Sequence, residues 1–139
     1  MYLIVDANVL LGAVLGESLT LLSDIAAEGS VLLVPQPMMR ETQLIAADKK
    51  RVPASDAYAR LKRIETMVTA LEPQHYENRE VQARERLSEN GQKDWPLLAA
   101  SLALEAPIWS NDKHLWGTGV AVWRTRNIRY WTAGGASAH

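Results

Sequence analysis

The chain contains no cysteine. This excludes a disulfide framework, thiolate-held zinc and a redox dithiol, and it suits a reducing cytoplasm. No apolar run approaches the roughly 18 residues that a membrane span requires. Asp6 and Asn8 interrupt the first apolar stretch and no basic segment precedes it, so it does not read as a signal peptide. A soluble, cytoplasmic protein is expected. No internal repeat is present. His75, His114 and His139 share no zinc-ligand spacing, and His114 reads as a partly exposed helix histidine in preference to a phosphate contact. The GTG of residues 117–119 lacks the third glycine and the helix of a dinucleotide loop. Ser18, Ser23, Ser30 and Ser55 have no nucleophile-elbow setting, which leaves covalent hydrolysis without support. Acidic residues end at Asp112, whereas Lys113, Arg124, Arg126 and Arg129 follow it. A net charge of −1 argues against a generic polybasic binder. The local asymmetry suits a surface that meets a polyanion, or four solvated charges.

What is present describes one ordinary globular domain over residues 1–132, at 47% hydrophobic and 22% charged residues. The small, glycine-containing stretch 133–139 reads as a disordered tail. YLIV (2–5) and VLLV (31–34) are short and apolar, as buried parallel strands are. A helical pattern from Val9 to about Glu28 is interrupted at Gly12 and Gly16, and a second runs from Met38 to Asp48, ending in the polar run DKKR (48–51). Over residues 55–71, Ala57, Leu61, Ile64, Val68 and Leu71 recur at helical spacing, with Ser55 or Asp56 able to cap. A charged helix is expected at 76–89, stopped by Asn90-Gly91. DWPLLAASLALEAP (94–107) then opens a helix with Asp94 at the N-cap and Pro96 in the first turn, apolar almost all round. PIWS (107–110) and VAVW (120–123) read as strands around a short helix at 112–116, and NIRYW (127–131) as an edge strand. Trp95, Trp109, Trp116 and Trp123 crowd these last segments and are expected in the core in preference to serving as base-stacking platforms. Alternating strands and helices predict an α/β sandwich with a mostly parallel sheet covered on both faces.

In such a sheet, ligands bind beyond the carboxyl ends of the strands. Asp6 ends the first strand, Asp112 follows PIWS by two residues, and Asp94 begins a helix. Glu41 lies early in the helix after VLLV. Taken singly, Asp6 is a turn residue, Glu41 a solvated helix position, and Asp94 and Asp112 helix caps. Taken together they can converge on one crevice. Converging carboxylates repel, and hard cations such as Mg²⁺ or Mn²⁺ relieve that repulsion.

The segments YLIVDAN, VPQPMMRETQLI, DWPLLAASLAL and PIWSNDKHLWGTGVAVWRT occur in an order and spacing that resemble PIN-domain ribonucleases, in particular the VapC-type toxins of bacterial toxin–antitoxin pairs. The resemblance covers about residues 1–129. It implies a three-layer α/β/α sandwich, a Mg²⁺- or Mn²⁺-dependent endoribonuclease, and a homodimer. It matches Asp6, Glu41, Asp94 and Asp112 to the metal-binding acids, Asn8 to a small polar residue near them, and Ser110 to a hydroxyl supporting the fourth acid. His114 stands where the family often has a second Asp, which leaves the number of metal ions open.

The function expected on these grounds is hydrolysis of single-stranded or loop RNA, with Lys113, Arg124 or Arg126 on flanking phosphates. A cognate antitoxin would cover the crevice. A housekeeping RNA-processing nuclease, a nuclease acting on DNA and a non-catalytic module of the same fold are the alternatives. A phosphotransfer domain of the haloacid-dehalogenase type would need a second Asp where Asn8 stands.

Overall fold

The computed structural model of the protein describes residues 1–48 and 54–137. Residues 49–51 of the expected polar run, and 138–139 of the expected tail, lie outside them. Five strands form one sheet in the order β3-β2-β1-β4-β5, and every pairing is parallel. They are β1 (Tyr2–Val5), β2 (Val31–Pro35), β3 (Val68–Leu71), β4 (Ile108–Trp109) and β5 (Val122–Trp123). Leu3, Ile4 and Val5 are fully buried at the centre of the sheet, which is why β1 is a continuous apolar run and not an alternating one.

Helices cover both faces. In one layer, α1 (Ala7–Val14) packs against α2 (Leu19–Ala27), α3 (Gln36–Ala46) and α4 (Ala54–Met67). In the other, α6 (Trp95–Leu104) lies on β1, β2 and β4, with α5 (Glu80–Arg86) against it. The chain is therefore a three-layer α/β/α sandwich. Among the described residues, no single helix is long and apolar enough to cross a membrane.

Gly12 does not interrupt α1. The break comes at Gly16, whose φ of 91° belongs to the left-handed region that glycine enters without strain. There Arg60 of α4 donates its Nε–H to the carbonyl of Val14, satisfying an orphan acceptor at the end of α1. Leu97, Leu98, Ala99 and Ala100 of α6 are fully buried, as its all-round apolar sequence predicts. It ends at Leu104, where Glu105 turns left-handed at φ 51°.

Four elements differ from the sequence reading. The helix expected over 55–71 stops at Met67, and Val68–Leu71 becomes the edge strand β3, paired with β2 from Leu32↔Val68 to Pro35↔Leu71. β-branched Val68 and Thr69 suit a strand, and pairing with β2 outweighs the helical spacing of Val68 and Leu71. Ser55 and Asp56, read as caps, fall inside α4 instead. The charged helix expected at 76–89 shortens to α5, preceded by 3-10 turns at Pro73–His75 and Glu77–Arg79. Finally, residues 127–131 are no edge strand: Ile128–Ser137 forms α7. Ile128 is fully buried, whereas Arg129 and Tyr130 beside it are exposed. The short helix expected at 112–116 is a 3-10 turn, Lys113–Leu115.

Candidate active site

β1 is flanked by β2 on one side and β4 on the other, so the chain reverses its direction of travel across the sheet between β1 and β4. At such a switch point the connections diverge and leave a crevice at the carboxyl edge. Val5 pairs with Trp109, and the Asp6 N–H donates to the Trp109 carbonyl at 3.0 Å, which sets Asp6 beside Ser110. Ser110 donates its backbone N–H to the Trp123 carbonyl at 2.9 Å, so Arg124 stands one strand further along the same edge.

A cleft of about 490 Å³ opens here, lined by Asp6, Asn8, Glu41, Lys93, Asp94 and Asp112, with Leu11, Pro37 and Met38 as apolar wall. All four predicted acids face it. Asp6, 5% exposed, caps α1: its Oδ1 accepts the Ala7 N–H at 2.6 Å. Its Oδ2 accepts the Ser110 hydroxyl at 2.6 Å and the Asn8 amide at 3.1 Å. The Ser110 oxygen in turn accepts the Asp112 N–H at 3.0 Å, so one hydroxyl fixes two of the acids. Asp112 caps the following 3-10 turn, accepting the His114 N–H at 2.9 Å. Asn8 uses its carbonyl oxygen to receive the Asn111 N–H at 3.3 Å. Glu41, on α3, is exposed.

Asp94 differs from the others. It occupies the N-cap of α6 yet makes no capping hydrogen bond. It is buried, and its Oδ2 has no hydrogen-bond partner. Burial, a carboxyl–carboxyl hydrogen bond with Asp112, and the charges of Asp6 and Asp112 push its pKa up to about 7, against a small opposing effect of Lys93. The Asp6 carboxyl is also raised, first by burial and then by Asp112 and Glu41, although Ser110 and the Ala7 N–H pull the other way.

This donor set fits a hard divalent cation: every candidate ligand is an oxygen, one is a buried orphan, and two carboxyls are held above their ordinary range by burial and by neighbouring acids. Among the described residues no three acids stand close enough to form a closed metal cage. The acids line the cleft without clasping one point, as mutually repelling groups do.

Two contributors were missed in the sequence. Lys93 lines the cleft immediately before Asp94, a position that adjacency to a predicted acid could have flagged. Asn111 exchanges hydrogen bonds with Thr125, donating to Oγ1 at 3.1 Å and accepting its N–H at 2.9 Å, which ties the loop after β4 to the end of β5. Of the predicted cations, Lys113 and Arg126 are exposed. Arg124 lies over the Trp116 ring at 5.2 Å. Arg129 is spent elsewhere, on Glu28 at 2.8 Å and Asp24 at 3.5 Å. Nor are the tryptophans uniformly core: Trp109 is fully buried, Trp95 and Trp123 partly so, and Trp116 is 51% exposed. Trp116 follows the short 3-10 turn, and the buried Leu115 beside it takes the inward position.

A parallel sandwich whose switch point gathers acids from four separate segments defines a class of α/β proteins with an acid-lined cleft. The chain belongs to the PIN domain family, whose model matches residues 4–132. PIN domains are generally nucleases. The fold is similar to a chain in the crystal structure of VapBC2 from Rickettsia felis bound to a DNA fragment from their promoter, at 12% identity and a TM-score of 0.64, covering 89% of this chain and 98% of that one. It is similar also to PAE2754 from Pyrobaculum aerophilum, at 16% identity and a TM-score of 0.67, covering 96% and 90%. No curated relative matches by sequence.

Proposed function

We propose that the protein is a Mg²⁺- or Mn²⁺-dependent endoribonuclease that hydrolyses RNA phosphodiester bonds, and that it is the toxin of a toxin–antitoxin pair. Asp94 is the observation that carries the first part: a buried carboxylate oxygen without a donor, among three other acids, calls for a cation. Asp6, Asp94 and Asp112 would hold the ion and Glu41 would complete the set. A bound divalent ion supplies an activated water and Lewis acidity toward the phosphoryl oxygen. The chain's own groups do the rest. Ser110 and Asn8 fix the Asp6 carboxylate, and Ser110 also fixes the backbone at Asp112. Lys93 offsets part of the acid charge against an incoming phosphate. Lys113, Arg124 and Arg126 meet flanking phosphates from the same sheet edge.

The fold likeness to a VapBC2 chain supports an antitoxin partner that covers the cleft, and we extend the reading to a cytoplasmic homodimer. The deciding experiment is cleavage of an end-labelled single-stranded RNA with Mn²⁺, Mg²⁺ or EDTA. Wild type should cut only with the ion, and Asp6→Asn should lose about a hundredfold or more in rate. Equal cleavage in EDTA, or by Asp6→Asn, overturns the assignment.

A further inference from the structure

Trp116 is the one large aromatic at the carboxyl edge that the described structure leaves about half in water. Its position is set firmly. Leu115 before it is fully buried, and Thr118 after it is buried with its hydroxyl donating to the Leu115 carbonyl at 2.6 Å. Arg86 donates to the Thr118 carbonyl at 3.0 Å from the neighbouring helix. The Trp116 N–H closes the turn on the Lys113 carbonyl at 3.1 Å. Gly117, at φ 77°, carries the chain away, and a Cβ there would meet nothing within 4 Å. A loop anchored on both sides thus holds a tryptophan outward, four residues beyond Asp112.

Arg124 completes the arrangement. Its guanidinium lies 5.2 Å from the centre of the Trp116 ring, and its Nε is buried without a hydrogen-bond partner. The backbone places Arg124 one strand from Ser110, a spacing of about 4.8 Å. A cation lying over an aromatic ring that is about half open to water, in the segment that follows Asp112, matches the chemistry that binds an unpaired nucleobase next to its phosphate. Burial in a core does not explain an indole placed here.

We propose that Trp116, steadied by Arg124, is a base-stacking platform for an unpaired nucleotide flanking the scissile phosphate, and that it selects single-stranded over paired RNA. The inference rests on the ribonuclease reading and deepens it. A duplex keeps its bases stacked on each other and offers the platform no free face.

Binding can be read without cleavage in the Asp6→Asn protein, by anisotropy of a labelled single-stranded oligoribonucleotide and of oligonucleotides carrying one abasic position scanned along it. Adding Trp116→Ala should weaken binding of the intact strand about tenfold, and Trp116→Phe much less. The Ala effect should vanish for one abasic position and persist for the rest, and the salt dependence should hold. Unchanged affinity in the Ala variant overturns the platform. So does an equal loss at every abasic position, which reports a structural effect. So does unchanged RNA affinity with lost self-association in sedimentation, which reports a protein contact. If the Asp6→Asn parent itself binds no RNA, the ribonuclease reading fails first, and does so visibly.

Discussion

At the scale of single residues, Asp94 concentrates the conflict that the site embodies. Its carboxyl titrates near 7 in the folded chain against 3.8 ordinarily. Because it shares a cleft with Asp112 and Asp6, the proton belongs to the group as much as to one side chain. A carboxyl whose pKa is higher when folded binds its proton more tightly in that state. Metal-free stability is therefore undiminished below pH 3.8, declines as pH rises toward 7, and stays lowered above that. One pKa unit corresponds to about 1.4 kcal/mol, so Asp94→Asn should be more stable than wild type at pH 8 in EDTA by on the order of 2 kcal/mol. At pH 4 the difference should nearly disappear. Urea unfolding at the two pH values measures this, and an Asn variant no more stable than wild type at pH 8 would show that Asp94 carries no such strain.

At the scale of elements, the carboxyl end of β4 organises the cleft through one hydroxyl. Ser110 donates to Asp6 and accepts the Asp112 N–H, joining the end of β1 to the turn after β4. Ser110→Ala removes both, leaving the Asp6 oxygen with only the Asn8 amide at 3.1 Å. The expected result is a loss of about 1–2 kcal/mol in metal-free stability and a Mn²⁺ affinity lower by about 10- to 100-fold in calorimetric titration. Unaltered Mn²⁺ binding would show that Ser110 packs the sheet without orienting a ligand. The same element shows what was legible in sequence. YLIVD and PIWSND announce buried strands ending in polar groups because a central parallel strand is apolar on both faces, and its acids stand out. Val68–Leu71 was not legible, since its residues continue the spacing of α4 and only pairing with β2 makes them a strand. Trp116 reads as core in the sequence for a related reason: composition around it is core-like, and its exposure depends on Leu115 taking the inward position. Nothing local distinguishes the two.

At the scale of the whole molecule, a net charge of −1 supplies no overall field to draw RNA, so the proposed function requires a local attraction. The acid-free segment after Asp112 supplies four cations, and the fold divides them. Arg124 follows β5 at the edge that holds the acids, with Arg126 in the turn that the Asn127 N–H closes on the Arg124 carbonyl at 3.0 Å. Arg129 instead pairs with Glu28 and Asp24 around the end of α2. The segment is thus not a uniform basic strip. If Arg124 and Arg126 neutralise phosphates, removing either cation lowers the salt slope of single-strand binding by about 0.7. In the Asp6→Asn protein, Arg124→Ala with Arg126→Ala should therefore weaken RNA binding and flatten its salt dependence by somewhat more than one. In the active protein the same double change should leave the cleavage position unaltered. Arg129→Ala is the matched control: it removes the same kind of charge but lies across the fold, and it should leave the slope alone while loosening an exposed ion pair that contributes about 1 kcal/mol at most. Equal slopes for the double variant and its parent, or an equal drop for Arg129→Ala, would place the RNA path away from this edge while the acid cleft stood as described.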